Sequence, residues 1–175
     1  WMGEDIDVLF DFVHSGPLEY REYCSCKVRD EVLLKNQDRR TGDLNEFWAG
    51  RDYSRQLGKM KAATLMAHGF NDWNVMPEHS IRIYLALRAK GVPAQLYCHQ
   101  AGHGGDPPLK MMNRWFTRYL HGVKNGVEKD PRAWIVREDA RAGDPTPYPD
   151  YPNPDARPVA LHPKGGGNGL GGLSL

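Results

Sequence analysis

The 175-residue chain predicts an α/β fold with parallel strands, and three observations carry that prediction. Two short, near-continuous apolar runs, "AATLMA" (62–67) and "PAQLYCH" (93–99), are each followed by a helical pattern. Both helical patterns stop at a glycine. The connections between them are short. Strand, helix, strand, helix joined in this way is a βαβα unit, whose strands run parallel with a right-handed crossover.

Taken in chain order, residues 1–50 read as helical and irregular. "EDIDVLFDFVHSG" clusters Ile6, Val8, Leu9, Phe10, Phe12 and Val13 before the terminator pair Gly16-Pro17. "RDEVLLKNQDRRTGD" is a second short amphipathic stretch, ended by Gly42. "GDLNEFWAGRDYSR" sets three aromatics among charges, which suits a surface-lining segment. From residue 60 the pattern becomes clean. An unbroken apolar run such as 62–67 suits a strand buried on both faces. "PEHSIRIYLALRAKG" follows with Pro77 in the first helical turn, Glu78 near the positive end and Gly91 as the stop. Ile81, Tyr84, Leu85 and Arg88 fall at i, i+3, i+4 and i+7, which predicts the inward stripe. After the strand at 93–99, "PPLKMMNRWFTRYLHG" predicts a second helix with Leu109, Met112, Phe116 and Tyr119 on one face, ended by Gly122.

The character changes again near Asp130. "RAWIVRED" (132–139) reads as one strand, and the prolines of "ARAGDPTPYPDYPNPDARP" exclude helix and favour an extended path. "VALHPKGGGNGLGGLSL" reads as a β segment with a glycine-rich loop. Nothing in 130–175 closes a core alone, so it reads as the opening of a separate β domain.

Lys and Arg number 23 against 22 Asp and Glu, a formal net charge of +1. That balance argues against nucleic acid and against an acidic membrane surface as partners. The longest apolar run falls far short of a membrane span, and no secretory leader pattern is present. Cys24, Cys26 and Cys98 form neither a disulfide framework nor a zinc set, and no cofactor is called for. His99 and His103 lie four apart, but the intervening glycine excludes the helical face that a zinc pair at that spacing needs. "GGGNGLGG" lacks the Gly-Lys-Ser/Thr of a phosphate loop.

Two loops carry the chemistry. "AHGFNDWNV" (67–75) leaves the first strand on Asp72, and "HQAGHGGDP" (99–107) leaves the second on His103. In parallel sheets reactive groups gather outside the carboxyl ends of the strands, so these two become neighbours across 31 residues. A serine hydrolase needs a nucleophile, a histidine that moves its proton and a carboxylate that orients the imidazole. In α/β-hydrolases they occur in the chain order Ser, Asp or Glu, His. Asp72 and His103 are the candidate acid and base, and Gly102, Gly104 and Gly105 free the backbone around the histidine. The alternatives are a turn-capping aspartate and a loop histidine held by backbone. Trp48, Trp73 and Trp115 are candidates either for a substrate pocket or for plain packing. The nucleophile is the missing part. Ser15, Ser25, Ser54, Ser80 and Ser174 are the five serines, and none lies in Gly-x-Ser-x-Gly.

"DLNEFWAGRDY", "KMKAATLMAHGFNDWNVMPEHS", "HQAGHGG" and "WFTRYLHGVKNGVEKDPRAWIVRED" together resemble the Xaa-Pro dipeptidyl-peptidases, serine peptidases of the α/β-hydrolase fold related to cocaine-esterase-like acyl hydrolases. The match covers roughly residues 40–140. The resemblance implies three parts: 1–50 as part of a helical cap, 51–129 as the C-terminal half of the hydrolase domain, and 130–175 as a linker and first strands of a jelly roll. It implies a chain internal to a longer enzyme, with the serine upstream and with Asp72 and His103 as triad acid and base. The substrate implied is a peptide with proline second, released as an N-terminal dipeptide through an acyl-enzyme, with no cofactor or metal. The remainder of the hydrolase domain is then an obligatory partner. An ester or β-lactam-side-chain acyl hydrolase, and a catalytically silent scaffold, are the competing readings.

Overall fold

The computed structural model describes residues 17–38, 40–141, 143–166 and 171–175. The helical pattern expected at 4–16 lies outside them. A helical run, α1, comprises Leu18–Glu22, a wider π-wound middle Tyr23–Leu33, and Leu34–Asn36. It starts earlier than the amphipathic stretch predicted, and none of its residues is buried. Gly42 follows at φ +71°, the left-handed conformation that glycine adopts freely. The short helix α2, Glu46–Ala49, is capped by Asn45, whose Oδ1 accepts from Trp48 N–H at 3.2 Å. A 3₁₀ stretch, Tyr53–Lys59, leads to the sheet.

The sheet is built from β1 (Thr64–Gly69), β2 (Ala94–His99), β3 (Ala133–Ile135) and β4 (Thr146–Tyr148), in that spatial order. β1 and β2 pair in parallel, as do β2 and β3, while β4 runs antiparallel to β3. Helix α3 (Pro77–Ala89) connects β1 to β2, and α4 (Leu109–Tyr119) lies between β2 and β3. The predicted βαβα order is therefore present, with Gly91 and Gly122 both at φ +70° beyond the helix ends. Residues 133–148 extend this sheet, so the chain does not leave it near residue 130. Beyond them β5 (His162–Lys164) and β6 (Gly172–Ser174) form a separate antiparallel pair.

Three burial expectations need correction. β2 is buried at every residue, because β1 and β3 flank it. β1 is only half-buried over most of its length, because it forms an edge of the sheet among the described residues. The inward stripe of α3 is Ser80, Tyr84 and Leu87 rather than one carrying Leu85, which is exposed. In α4 the buried residue is Trp115, whereas Leu109 and Phe116 face outward. In both helices the apolar residues span more of the surface than one contact face, and the sheet selects which side is covered.

The core joins Tyr84 and Leu87 of α3 to Ala94, Leu96 and Cys98 of β2 and to Ala133 of β3. Burial pushes the Cys98 thiol up to about 12, so it packs as an apolar group. One polar junction ties the C-terminal segment to this core. Asp150 accepts from Tyr84 Oη at 2.5 Å, from the Arg88 guanidinium at 2.9 Å, from Arg132 at 3.3 Å and from the Tyr151 N–H at 2.9 Å. Burial alone would raise its pKa, but the Arg88 and Tyr84 hydrogen bonds outweigh that and hold the carboxyl well below the usual carboxylate range.

A depressed folded-state pKa stabilises the fold fully above the unfolded value of 3.8 and is lost as pH falls toward the lower folded value. Asp150→Asn is expected to lower stability at neutral pH by about 1.5–3 kcal/mol, the range for a charged hydrogen bond. It should also flatten the acid dependence below pH ~4, measured as urea midpoints across pH. A wild-type-like acid profile in the variant would contradict the assignment.

Candidate active site

The register of β1 against β2 ends on the pair Gly69–His99 and is continued by the Phe70 N–H, which donates to His99 O at 2.7 Å. Both following loops therefore leave the same end of the sheet at the same level. They pack against each other. Asn71 Nδ2 donates to Gln100 O at 2.6 Å across the gap. A Cβ on Gly69 would run into the carbonyl oxygens of Ala101 and Gly102, so only glycine fits where the loops cross.

Asp72 closes a tight turn. Its N–H donates to Gly69 O at 3.2 Å, and its Oδ1 accepts from the N–H groups of Asn74 at 3.0 Å and Val75 at 2.9 Å. The capping alternative is thus literally present, but it occupies one carboxylate oxygen only. The other, Oδ2, lies 2.9 Å from His103 Nδ1. Asp72 is 5% exposed, whereas the side chain of His103 is 61% exposed. Burial alone would raise the Asp72 carboxyl, yet the Val75 N–H, His103 and the Asn74 N–H together hold it below its ordinary value. The carboxylate is therefore charged at neutral pH. With Nδ1 committed to Asp72, the opposite ring nitrogen of His103 is the one left to exchange a proton.

The glycines beside His103 do distinct things. Gly104 and Gly105 take φ +98° and +96°, which aims the chain back over the sheet end, while Gly102 has no such conformation. Beneath them His99 is 5% exposed, with its Nδ1 accepting from Ala101 N–H at 3.1 Å. A Cβ on Gly105 would sit 2.6 Å from His99 Nε2. His99 thus underpins the loop, and His103 faces Asp72. The tryptophans separate as well. Trp115 packs on Tyr119 at 4.6 Å, and Trp48 donates from Nε1 to Gln37 O at 2.9 Å. Trp73, next to Asp72, is 74% exposed.

A second histidine at this site escapes a reading based on charge and spacing alone. His68, in β1, places Nε2 3.3 Å from Asp72 Oδ2 and 2.7 Å from Val75 O, while its Nδ1 lies 2.6 Å from Ser80 Oγ on α3. The available signal is a polar residue that closes the apolar run of a strand, four residues before the aspartate. That pattern alone is equally consistent with a core histidine.

Gly69→Ala is expected to destabilise the chain by about 1–3 kcal/mol, the usual cost of overpacking, and to separate the two loops. Chemical denaturation measures the first effect and the NMR shift of the His103 ring measures the second. Unchanged values for both would contradict the loop contact.

Residues 2–105, which include both Asp72 and His103, match the model of the X-Pro dipeptidyl-peptidase (S15) family. A protein of Rhodopirellula baltica that carries the Xaa-Pro dipeptidyl-peptidase name is 59% identical over 164 residues, 93% of this chain and 26% of its own length. The Xaa-Pro dipeptidyl-peptidase of Lacticaseibacillus rhamnosus is 31% identical over 169 residues, 91% of this chain and 21% of its own length. The chain thus spans about a quarter of the length of these relatives. A CocE/NonD family hydrolase from Staphylococcus aureus superimposes with a TM-score of 0.53 over 75% of this chain and 23% of its own, at 16% identity, a likeness of fold. By the family match over more than half of its residues, the chain belongs to the S15 family of X-Pro dipeptidyl-peptidases.

Proposed function

We propose that this chain supplies the acid and base of a serine peptidase that releases N-terminal Xaa-Pro dipeptides. The observation that carries this reading is the 2.9 Å contact between Asp72 Oδ2 and His103 Nδ1, on loops after adjacent parallel strands and inside the family match. In the proposed reaction a serine oxygen attacks the proline residue's own carbonyl carbon, and the bond to the nitrogen of the third residue breaks. The ring nitrogen of His103 opposite Nδ1 takes the serine proton and returns it to the departing amine. Asp72 holds the ring's tautomer and stabilises the imidazolium. Water then releases the dipeptide along the same proton route.

The serine is proposed to come from the remainder of the hydrolase domain. Ser25 lies in the helical run α1, Ser54 in the 3₁₀ stretch, Ser80 in α3 and Ser174 in β6, so no described serine sits on a strand-to-helix elbow. Ser80 touches His68, which in turn touches Asp72. It is 8% exposed and turned into the α3–sheet interface, closed to a peptide. Support for a covering partner comes from the half-buried edge strand β1 and from Leu109, Phe116 and Leu120, which leave an apolar side of α4 exposed. In the same reading residues 1–50 contribute to a helical cap, 51–129 to the hydrolase domain, and 130–175 lead to a jelly roll after β3 and β4 have joined the sheet.

In the complete enzyme, Asp72→Asn is expected to lower turnover of Ala-Pro and Gly-Pro anilides on the order of 10⁴-fold, and His103→Ala at least as much. Either variant at near-normal turnover would overturn the assignment, and preference for simple esters would overturn the peptidase. A fluorophosphonate probe is expected to label the full-length protein and not this segment alone. Labelling of the isolated segment would contradict an external nucleophile.

A further inference from the structure

The buried His68 lies against the same carboxylate as His103, and its three contacts define what it can do. Val75 O only accepts, so at 2.7 Å the Nε2 of His68 must carry hydrogen. The same nitrogen sits 3.3 Å from Asp72 Oδ2, the oxygen that holds His103, while its hydrogen goes to Val75 O. The opposite nitrogen, Nδ1, is fixed at 2.6 Å by the Ser80 hydroxyl. The side chain is 9% exposed, so the ring belongs to the interior. Both backbone polar groups of Val75 are held: its N–H donates to Asp72 Oδ1 and its carbonyl accepts from His68. His68 therefore closes a clamp that runs from α3, through β1, to the turn carrying Asp72.

We propose that His68, held by Ser80, is a positioning residue that sets both the orientation and the effective basicity of Asp72 toward His103. The inference rests on the Asp72–His103 reading above. Orientation follows from the clamp on the 72–75 turn, because a carboxylate displaced by an ångström misaligns the imidazole it holds. Basicity follows from charge. The polar N–H of His68, with its nitrogen 3.3 Å from Oδ2, offsets part of that oxygen's negative potential, so less falls on the His103 imidazolium. Without that N–H the carboxylate attracts the His103 imidazolium more strongly.

The test uses His68→Phe, His68→Gln and Ser80→Ala in the full-length peptidase, with Asp72→Asn and His103→Ala assayed alongside on a Pro-anilide. His68→Phe keeps a flat ring but loses the donor. It is expected to lower kcat by up to about 100-fold with little change in KM, and to move the acid limb of kcat/KM to higher pH. His68→Gln retains an N–H within reach of Val75 O and should recover most of kcat and the wild-type acid limb. Ser80→Ala should move kcat and the acid limb in the same direction as His68→Phe, by less. Should His68→Phe fail to fold, Ser80→Ala and His68→Gln carry the test. Overturning the proposal requires folded variants that lose only thermal stability, with kcat and the acid limb unchanged. If Asp72→Asn and His103→Ala also keep turnover, the underlying pair has failed. If they lose it while the His68 and Ser80 variants do not, only the positioning role has failed.

Discussion

Parallel pairing of β1 with β2, in a register that ends on Gly69 and His99, places two loops at one end of the sheet and leaves them no room to avoid each other. From that register follow the Phe70–His99 hydrogen bond, the Asn71–Gln100 bridge and the glycine crossing at Gly69. Asp72 and His103, each a few residues beyond a paired strand end, are then brought within one hydrogen bond. A slip of one residue would exchange the faces of the strand and send His68 away from Asp72. The site is thus a consequence of strand register, with loop chemistry added afterwards.

Two aspartates show how the partner decides what a shielded carboxylate does. Both are held below the ordinary carboxylate range against the opposing effect of burial. Asp150 faces Arg88, Arg132 and the Tyr84 hydroxyl, cations and a phenol that keep their protons at neutral pH, and it acts as a fixed anchor for the segment beyond β4. Asp72 faces two imidazoles, one buried and one exposed to solvent. The first arrangement stabilises a chain crossing. The second sets one carboxylate between a buried ring and a solvent-exposed one.

The helices show the limits of reading a face from spacing. In α3 the periodicity around Tyr84 is real, but either flank of that stripe is apolar enough to face the core, and contact with β1 and β2 selects Ser80 and Leu87 over Leu85. In α4 the same ambiguity resolves in favour of Trp115, leaving Leu109 and Phe116 outside. A polar residue, Ser80, occupies an inward position because it has a buried partner waiting in β1.

Residue order by itself determined the βαβα unit, its parallel sense, the glycine helix stops and the pairing of Asp72 with His103, because each rests on local signals or on strand order. The family resemblance was legible for the same reason, in contiguous motifs. Tertiary structure decided that residues 133–148 join the sheet, since an edge accepts a strand by backbone hydrogen bonds that carry little side-chain signature. It also decided the half-burial of β1, the inward faces of the helices and the contacts of His68. Those depend on which neighbour arrives in space: a histidine's work is set by what its two nitrogens meet, and Ser80, Val75 and Asp72 meet them only after the sheet and α3 have packed.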